Sequence, residues 1–218
     1  MKRQKRSWLV ENLIMLKRAL FLAGGAIMLQ GCVAGQSIAL SYEAEKVGHQ
    51  RVIAVVVDVE DHRPFVREGD KHPNYIGHYR AGFGNPWDVT TESDKALAQI
   101  MQEDLEQELD ALGFGAGSAS FNRSLLVEIQ DFNFNAYVDG EFWYELDITV
   151  LDENRDQLAL SKLEDRVTIE GSFWTGPKEA MEKEIPKLYA LMLKAIIREN
   201  DEIMNALVST SVDMGEND

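Results

Sequence analysis

The four histidines of the chain, His49, His62, His72 and His78, fall close together and near Asp58, Asp61 and Asp70. Imidazole and carboxylate groups together can hold a metal ion or move a proton, provided that rigid supports keep them at fixed spacing. No HxH or HExxH spacing occurs here, and the surrounding residues read as a flexible loop, so no metal site is expected. Asp58 with Glu60, and Glu145 with Asp147, are carboxylate pairs at strand spacing, the pattern of the wet face of a sheet. Gly82-Phe83-Gly84 and the glycines from Gly113 to Gly117 lack the strand–glycine–helix setting of a phosphate loop. No Ser or Cys nucleophile can be matched with a base by spacing. The expectation is therefore a non-enzymatic protein with no catalytic residue, no metal and no cofactor.

One reactive side chain stands apart. Cys32 is the only cysteine, and it follows the apolar run ALFLAGGAIML of Ala19 to Leu29, itself preceded by Lys17-Arg18. A basic segment, a short apolar run and small residues before a cleavage point make a secretory signal. The run is about half the ~20 apolar residues that a transmembrane helix needs, which leaves an uncleaved anchor as the weaker alternative. Leu29-Gln30-Gly31-Cys32 resembles a bacterial lipobox at Leu29, Gly31 and Cys32, while Gln30 is larger than the usual small residue. The resemblance implies that Cys32 is diacylated on sulfur, freed after Gly31 and then acylated on its new amino group. Met15 would open a lipoprotein signal of ordinary size, so Met15 stands beside Met1 as an alternative start. N-terminal sequencing of a precursor beginning at Met1 would reject that start.

Of the 22 basic and 37 acidic side chains, six and one precede Cys32, leaving 16 and 36 in the mature part. So acidic a body repels phosphate backbones and anionic headgroups, which argues against nucleic acid as a partner and against membrane binding through a basic patch. Membrane attachment must come from lipid. With Cys32 reserved for acylation the mature domain has no disulfide, and 45% hydrophobic residues must supply its stability by packing.

The elements that would carry these residues can be read in order. Residues 1–31 form the signal, 32–48 a lipidated tether with an edge strand about Ile38-Leu40-Tyr42, 49–209 a single α/β domain and 210–218 an acidic tail. Arg51 to Glu60 is rich in Val and short, as a central strand buried on both faces would be. Asp61 to Val89 holds Pro64, Pro73 and Pro86 with four glycines and no sustained period, and reads as a long loop. Its aromatic and Arg residues Phe65, Tyr75, Tyr79, Arg80, Phe83 and Trp87 are too many for a disordered linker, and are the candidate partner-binding residues. Thr90 or Thr91 is read as the cap of a helix whose apolar residues run from Leu97 to Leu112, with Gly113-Phe114 as its stop. Three alternating stretches follow, about Leu125–Phe134 with a bulge near Gln130-Asp131, Phe142–Val150, and Leu158–Ile169 with a slip near Lys162. They are expected as an antiparallel meander. A last helical region runs from Lys178 to about Ser209, split near Ile185 because Pro186 should not sit inside a helix. The sum is a two-layer α/β sandwich, a mostly antiparallel four-stranded sheet with two long helices in the order β-α-β-β-β-α.

A lipobox, a Val-rich strand ending in Asp61-His62-Arg63, a glycine-bearing loop around Gly77, a helix closing at Gly113-Phe114 and a C-terminal Leu188–Leu207 helix with Asp201-Glu202-Ile203 together resemble the YajG-type lipoproteins. That resemblance implies an α/β lipoprotein of the Gram-negative envelope. Val33 follows Cys32 where an Asp would signal inner-membrane retention, so it further implies sorting to the outer membrane. The expected role is binding of another envelope protein through the 61–89 loop or a sheet edge, the alternative being a carrier of a small apolar ligand or lipid.

Overall fold

The computed structural model describes residues 36–47, 53–80, 86–115, 121–137, 139–170 and 176–209, which belong to one compact unit, Gly35–Asp218. The signal segment, Cys32, His49, Phe83 and the 210–218 tail lie outside the described residues. The elements in chain order are β1 (Gln36–Ile38), β2 (Ala54–Asp61), α1 (Pro64–Arg67), β3 (Tyr75–Arg80), β4 (Pro86–Thr91), α2 (Leu97–Ala111), β5 (Phe121–Ala136), β6 (Gly140–Leu151), β7 (Gln157–Ile169), α3 (Gly176–Ile197) and α4 (Asp201–Val208). The expected α/β class holds, but in place of four mostly antiparallel strands and two long helices the described residues form four helices and a mixed sheet of seven strands, in the order β1-β4-β3-β5-β6-β7 with β2 joined to β5 outside that path.

The part that follows the alternation most closely is the meander. β5, β6 and β7 pair antiparallel along their lengths, and the bulge expected near Gln130-Asp131 lies between Ile129 and Asp131. Leu125, Val127 and Ile129 before the bulge and Phe132 and Phe134 after it all point inward, so the extra residue restores the phase of the apolar face. From β6, Phe142, Leu146, Ile148 and Val150 join them in the core, beneath Tyr189, Met192 and Ile196 of α3 and Ile203 and Leu207 of α4. The slip expected near Lys162 does not occur. β7 stays in register there, and the irregularity lies between Val150 and Leu151.

β2 differs from its reading as a central strand. Val55, Val57 and Val59 are buried, whereas Val56 is 50% exposed beside Asp58 and Glu60, so only one face is dry. β2 pairs in parallel with β5 alone among the named strands, because β6 occupies the opposite edge of β5. A run of valines fits such a half-buried strand as well as a fully buried one.

The 61–89 segment is not a loop without regular structure. It folds into α1 and the antiparallel hairpin of β3 and β4, and its prolines fall where strands and helices accept them. Pro64 opens α1, Pro73 lies in the turn before β3, and Pro86 is the first residue of β4. Gly77 is required by packing, since a Cβ there would stand 2.3 Å from the buried ring of Phe134. The segment expected as a tether is also partly structural: Gln36–Ile38 pairs in parallel with β4, and Tyr42 is buried.

Two helix boundaries also move. Thr90 and Thr91 end β4 rather than cap a helix, and α2 begins at Leu97 after Ala96, which gives no side-chain cap. The carbonyl of Pro73 takes the Leu97 N–H instead, at 3.0 Å. At the other end Gly113 is left-handed (φ 85°), and the Phe114 N–H returns to Leu109 at 2.9 Å, as the sequence leads one to expect. α3 runs through Pro186 without a break. Met181 and Ile185 before it and Tyr189 and Leu193 after it are all fully buried, so packing outweighs the roughly 3 kcal/mol a proline costs in a helix. The break comes later, where the Asn200 side chain accepts the Ile203 N–H and starts α4.

Candidate functional site

The structure sorts the six expected partner-binding residues by exposure. Tyr75 and Tyr79 are buried, 4% and 6% exposed, and belong to the core. The Tyr75 hydroxyl donates to Asn133 Oδ1 (3.3 Å), and burial pushes its pKa up to about 12. Burial also raises that of Tyr79, whose ring packs edge-on against Phe134. Phe65 is half-buried, its ring 5.5 Å from Tyr75 in an edge contact. Phe83 lies outside the described residues. Arg80 is exposed and Trp87 is 41% exposed, and these two remain available to a partner.

The sheet register brings a further aromatic to the same place. Tyr79 lies opposite Trp87 in β4 and level with Ala136 in β5, so Tyr137, 55% exposed, continues the row just past them. Arg80 is steadied by Asn135, to which its Nε donates at 3.3 Å. One end of the sheet therefore presents Trp87, Arg80 and Tyr137. These are the residue types that carry interface energy, because large rigid rings and a planar cation lose little freedom on binding. Sequence reading missed Tyr137, which merely precedes the Asp139-Gly140 turn signal; the pairing of β3 with β5 is what places it.

A buried charge lies at the other end of β3. Arg63 is fully buried, and its guanidinium meets Asp61 with two oxygens (2.8 and 2.7 Å) and donates to the carbonyls of Tyr75 (2.7 Å), Phe132 (3.3 Å) and Pro73 (3.1 Å). Its position has a topological cause. β2 leaves the edge of β5 at Ile129, β3 joins that edge only at Asn135, and the Phe132 carbonyl in between takes its donor from Arg63.

The open face of the sheet carries the carboxylate pairs. Glu145 is bridged by Lys162 (2.9 Å), Asp147 accepts from Gln130 (2.8 Å), and Asp131 accepts from Trp143 (2.8 Å), whose ring lies under Arg166. This is the solvated surface the spacing implied. The histidines divide. His72 is exposed, and His78 is half-buried, its pKa lowered by burial and then by nearby Arg80. His62 lies not on a long loop but in the two-residue connection between β2 and α1, with Nε2 2.8 Å from Glu60 and Nδ1 3.1 Å from Glu128. Sequence spacing could not reveal that trio, because Glu128 sits on another strand.

Two surface cavities do not suit an apolar ligand. One, about 290 Å³, is lined by Asp131, Trp143, Glu145, Glu164 and Arg166 among others, and one of about 220 Å³ by Glu92, Lys95, Glu103 and Asp104 with a few apolar neighbours. Among the described residues no helix is long and apolar enough to cross a membrane.

The fold recurs in solved structures. Protein XCC0632 from Xanthomonas campestris, described by the family model DUF330, is similar with a TM-score of 0.50 and 12% identity, over 74% of this chain and 95% of that one. An uncharacterized protein is similar with a TM-score of 0.46 and 13% identity, over 75% of this chain and 97% of its own. A candidate lipoprotein from Caulobacter crescentus CB15 gives 0.34 and 17%, over 50% of this chain and 80% of that one. At such identities the likeness to XCC0632 speaks for the fold alone. No family model and no curated protein matches the sequence, so membership of the YajG-type lipoproteins is not shown.

Proposed function

We propose that the chain is a lipid-anchored protein of the Gram-negative envelope, held through Cys32 to the periplasmic face of the outer membrane, and that it binds another envelope protein with the sheet end formed by Arg80, Trp87 and Tyr137. The observation that carries the binding role is the segregation of aromatics. Tyr75 and Tyr79 of the same segment are buried, while Trp87, Arg80 and Tyr137 stay exposed at one end of three neighbouring strands. Isolated exposed apolar residues need no explanation, but Trp, Arg and Tyr gathered at one end of a sheet fit a recognition surface.

The anchor rests on the lipobox-like residues Leu29, Gly31 and Cys32. Acylation on both sulfur and nitrogen would supply the two or more chains that stable anchoring takes. Only residues 33–35 separate Cys32 from β1, and at about 3.5 Å per extended residue the lipid would hold the first strand within roughly 14 Å of the acylated position. No catalytic step is assigned to the protein. The carrier reading gains nothing from the charged cavities described above.

A photo-crosslinking residue at position 87 or 137 in intact cells tests the binding role, with the exposed Leu160 of β7 as control position. Capture of one envelope protein from 87 and 137 but not from 160 supports it; equal or absent capture at all three refutes it. Intact-mass analysis tests the anchor separately, since acyl chains must be present on the parent and missing from Cys32→Ser.

A further inference from the structure

Glu60 and Glu128 are register partners in the parallel β2/β5 pair, so two carboxylates project side by side from the open face of the sheet. Like charges directly opposite one another destabilise a strand pair. The His62 imidazole lies between them, with Nε2 2.8 Å from Glu60 Oε2 and Nδ1 3.1 Å from Glu128 Oε1. We propose that Glu60, His62 and Glu128 form a binding site for one divalent transition-metal cation of the zinc type.

Three observations carry the assignment. One ligand atom from each residue can be chosen so that all lie within 4.8 Å of one another. A cation with bonds of about 2.0–2.2 Å to imidazole nitrogen and carboxylate oxygen would take one ring nitrogen, so the His62 ring turns from its present bridge to offer that nitrogen alongside both carboxylates. The supports are rigid, which removes the objection that the sequence raised. Glu60 and Glu128 lie within strands, the His62 N–H donates to the Ile129 carbonyl at 2.9 Å, and the next residue is the fully buried Arg63. The donor set is also selective. An imidazole with two carboxylates suits zinc and its first-row neighbours, whereas Mg²⁺ and Ca²⁺ prefer oxygen alone. The His62 and Glu60 side chains are 21% and 50% exposed, so the remaining coordination positions open to solvent and can take water or a partner's ligand. The strongly acidic body adds a long-range attraction for a cation.

Calorimetric titration of zinc chloride into the full chain in detergent micelles tests the site, with Cys32→Ser as background so that the thiol contributes no ligand. The expected result is one zinc ion per chain, at least about tenfold weaker binding in His62→Ala and in Glu128→Gln, and no change in His72→Ala, on the exposed turn before β3. Glu128→Gln keeps the size and the hydrogen bond to His62, so it reports on ligation even if His62→Ala fails to fold. Cobalt substitution adds a spectroscopic reading, a visible band that both ligand variants lose. No zinc binding by the parent, or binding equal in parent and Glu128→Gln, overturns the proposal and leaves His62 as a hydrogen-bonding bridge between two carboxylates.

Discussion

Two buried ionic nodes hold this molecule together, and they are built in opposite ways. Arg63 pairs with Asp61 two residues before it and then spends its other donors on three main-chain carbonyls. Glu108, fully buried on α2, instead accepts from two side chains far away in sequence, the Tyr42 hydroxyl and Arg198 just past α3, while Arg198 also donates to the Glu45 carbonyl at 2.6 Å. The first node replaces a missing stretch of strand partner, whereas the second ties a helix, a helix end and the segment after β1 to one carboxylate. A buried pair is costly to half-remove, but it can often be exchanged whole for apolar side chains. The difference predicts which node tolerates that exchange: the second can be exchanged, and the first cannot, because carbonyl groups would be left without donors.

The largest effect is expected from Arg63→Met, which strands the Asp61 carboxylate and takes a donor from the carbonyls of Tyr75, Phe132 and Pro73, of which Pro73 keeps the Leu97 N–H. Denaturant unfolding should show a loss of about 3–5 kcal/mol, and adding Asp61→Asn should restore little of it. Arg198→Met should cost less, about 2–3 kcal/mol, because that side chain is 19% exposed and Glu108 keeps the Tyr42 hydroxyl as a donor. Adding Glu108→Leu together with Tyr42→Phe, so that no hydroxyl is left without its acceptor, should recover much of the loss; if this triple variant and the Arg63→Met/Asp61→Asn double variant recover equally, the contrast between the nodes fails. Gly77→Ala sharpens the first region. Its Cβ meets the wall of an aromatic ring, whereas the Cβ of Gly140→Ala meets the movable end of Met181, so about 1–3 kcal/mol is expected from the former and less from the latter.

The smallest effect belongs to the second region. Asp104 on α2 accepts from the Tyr189 hydroxyl (2.8 Å), and burial raises its pKa to about 6. A carboxyl raised in this way stabilises the fold while protonated, and that contribution fades as pH climbs from about 4 to about 6. Asp104→Asn should flatten this stretch of the stability profile and gain on the order of 1 kcal/mol above pH 6, after allowing for solvent screening. Thermal unfolding across that pH range checks the sign.

What could be read from the sequence follows how local its cause is. The alternation of β5 and β6, the bulge after Ile129 and the glycine stop of α2 depend on neighbouring residues, and the sequence displays them. The β3/β4 hairpin was hidden by Pro73 and Pro86, which punctuate it, and by Gly77, whose purpose is to admit a ring from another strand. Pro186 misled because a local rule lost to burial on both sides of it. Of the candidate site, Arg80 and Trp87 were visible as polar and aromatic residues in an irregular segment. Tyr137 and the Glu60–His62–Glu128 trio depend on contacts between strands far apart in the chain, which leave no mark in spacing.

The edge that β2 and β3 share along β5 also sets an order of assembly. The β5–β6–β7 meander closes through short turns, whereas joining β2 to β5 means closing a loop that spans the hairpin and two helices. Such non-local closure is entropically slow, so the meander should collapse first and wait with one flank bare. Pulse-labelled hydrogen exchange would see β6 amides protected before those of β2. In that interval the chain displays a long adhesive strand edge, and its exposure to chaperones or to aggregation is decided there.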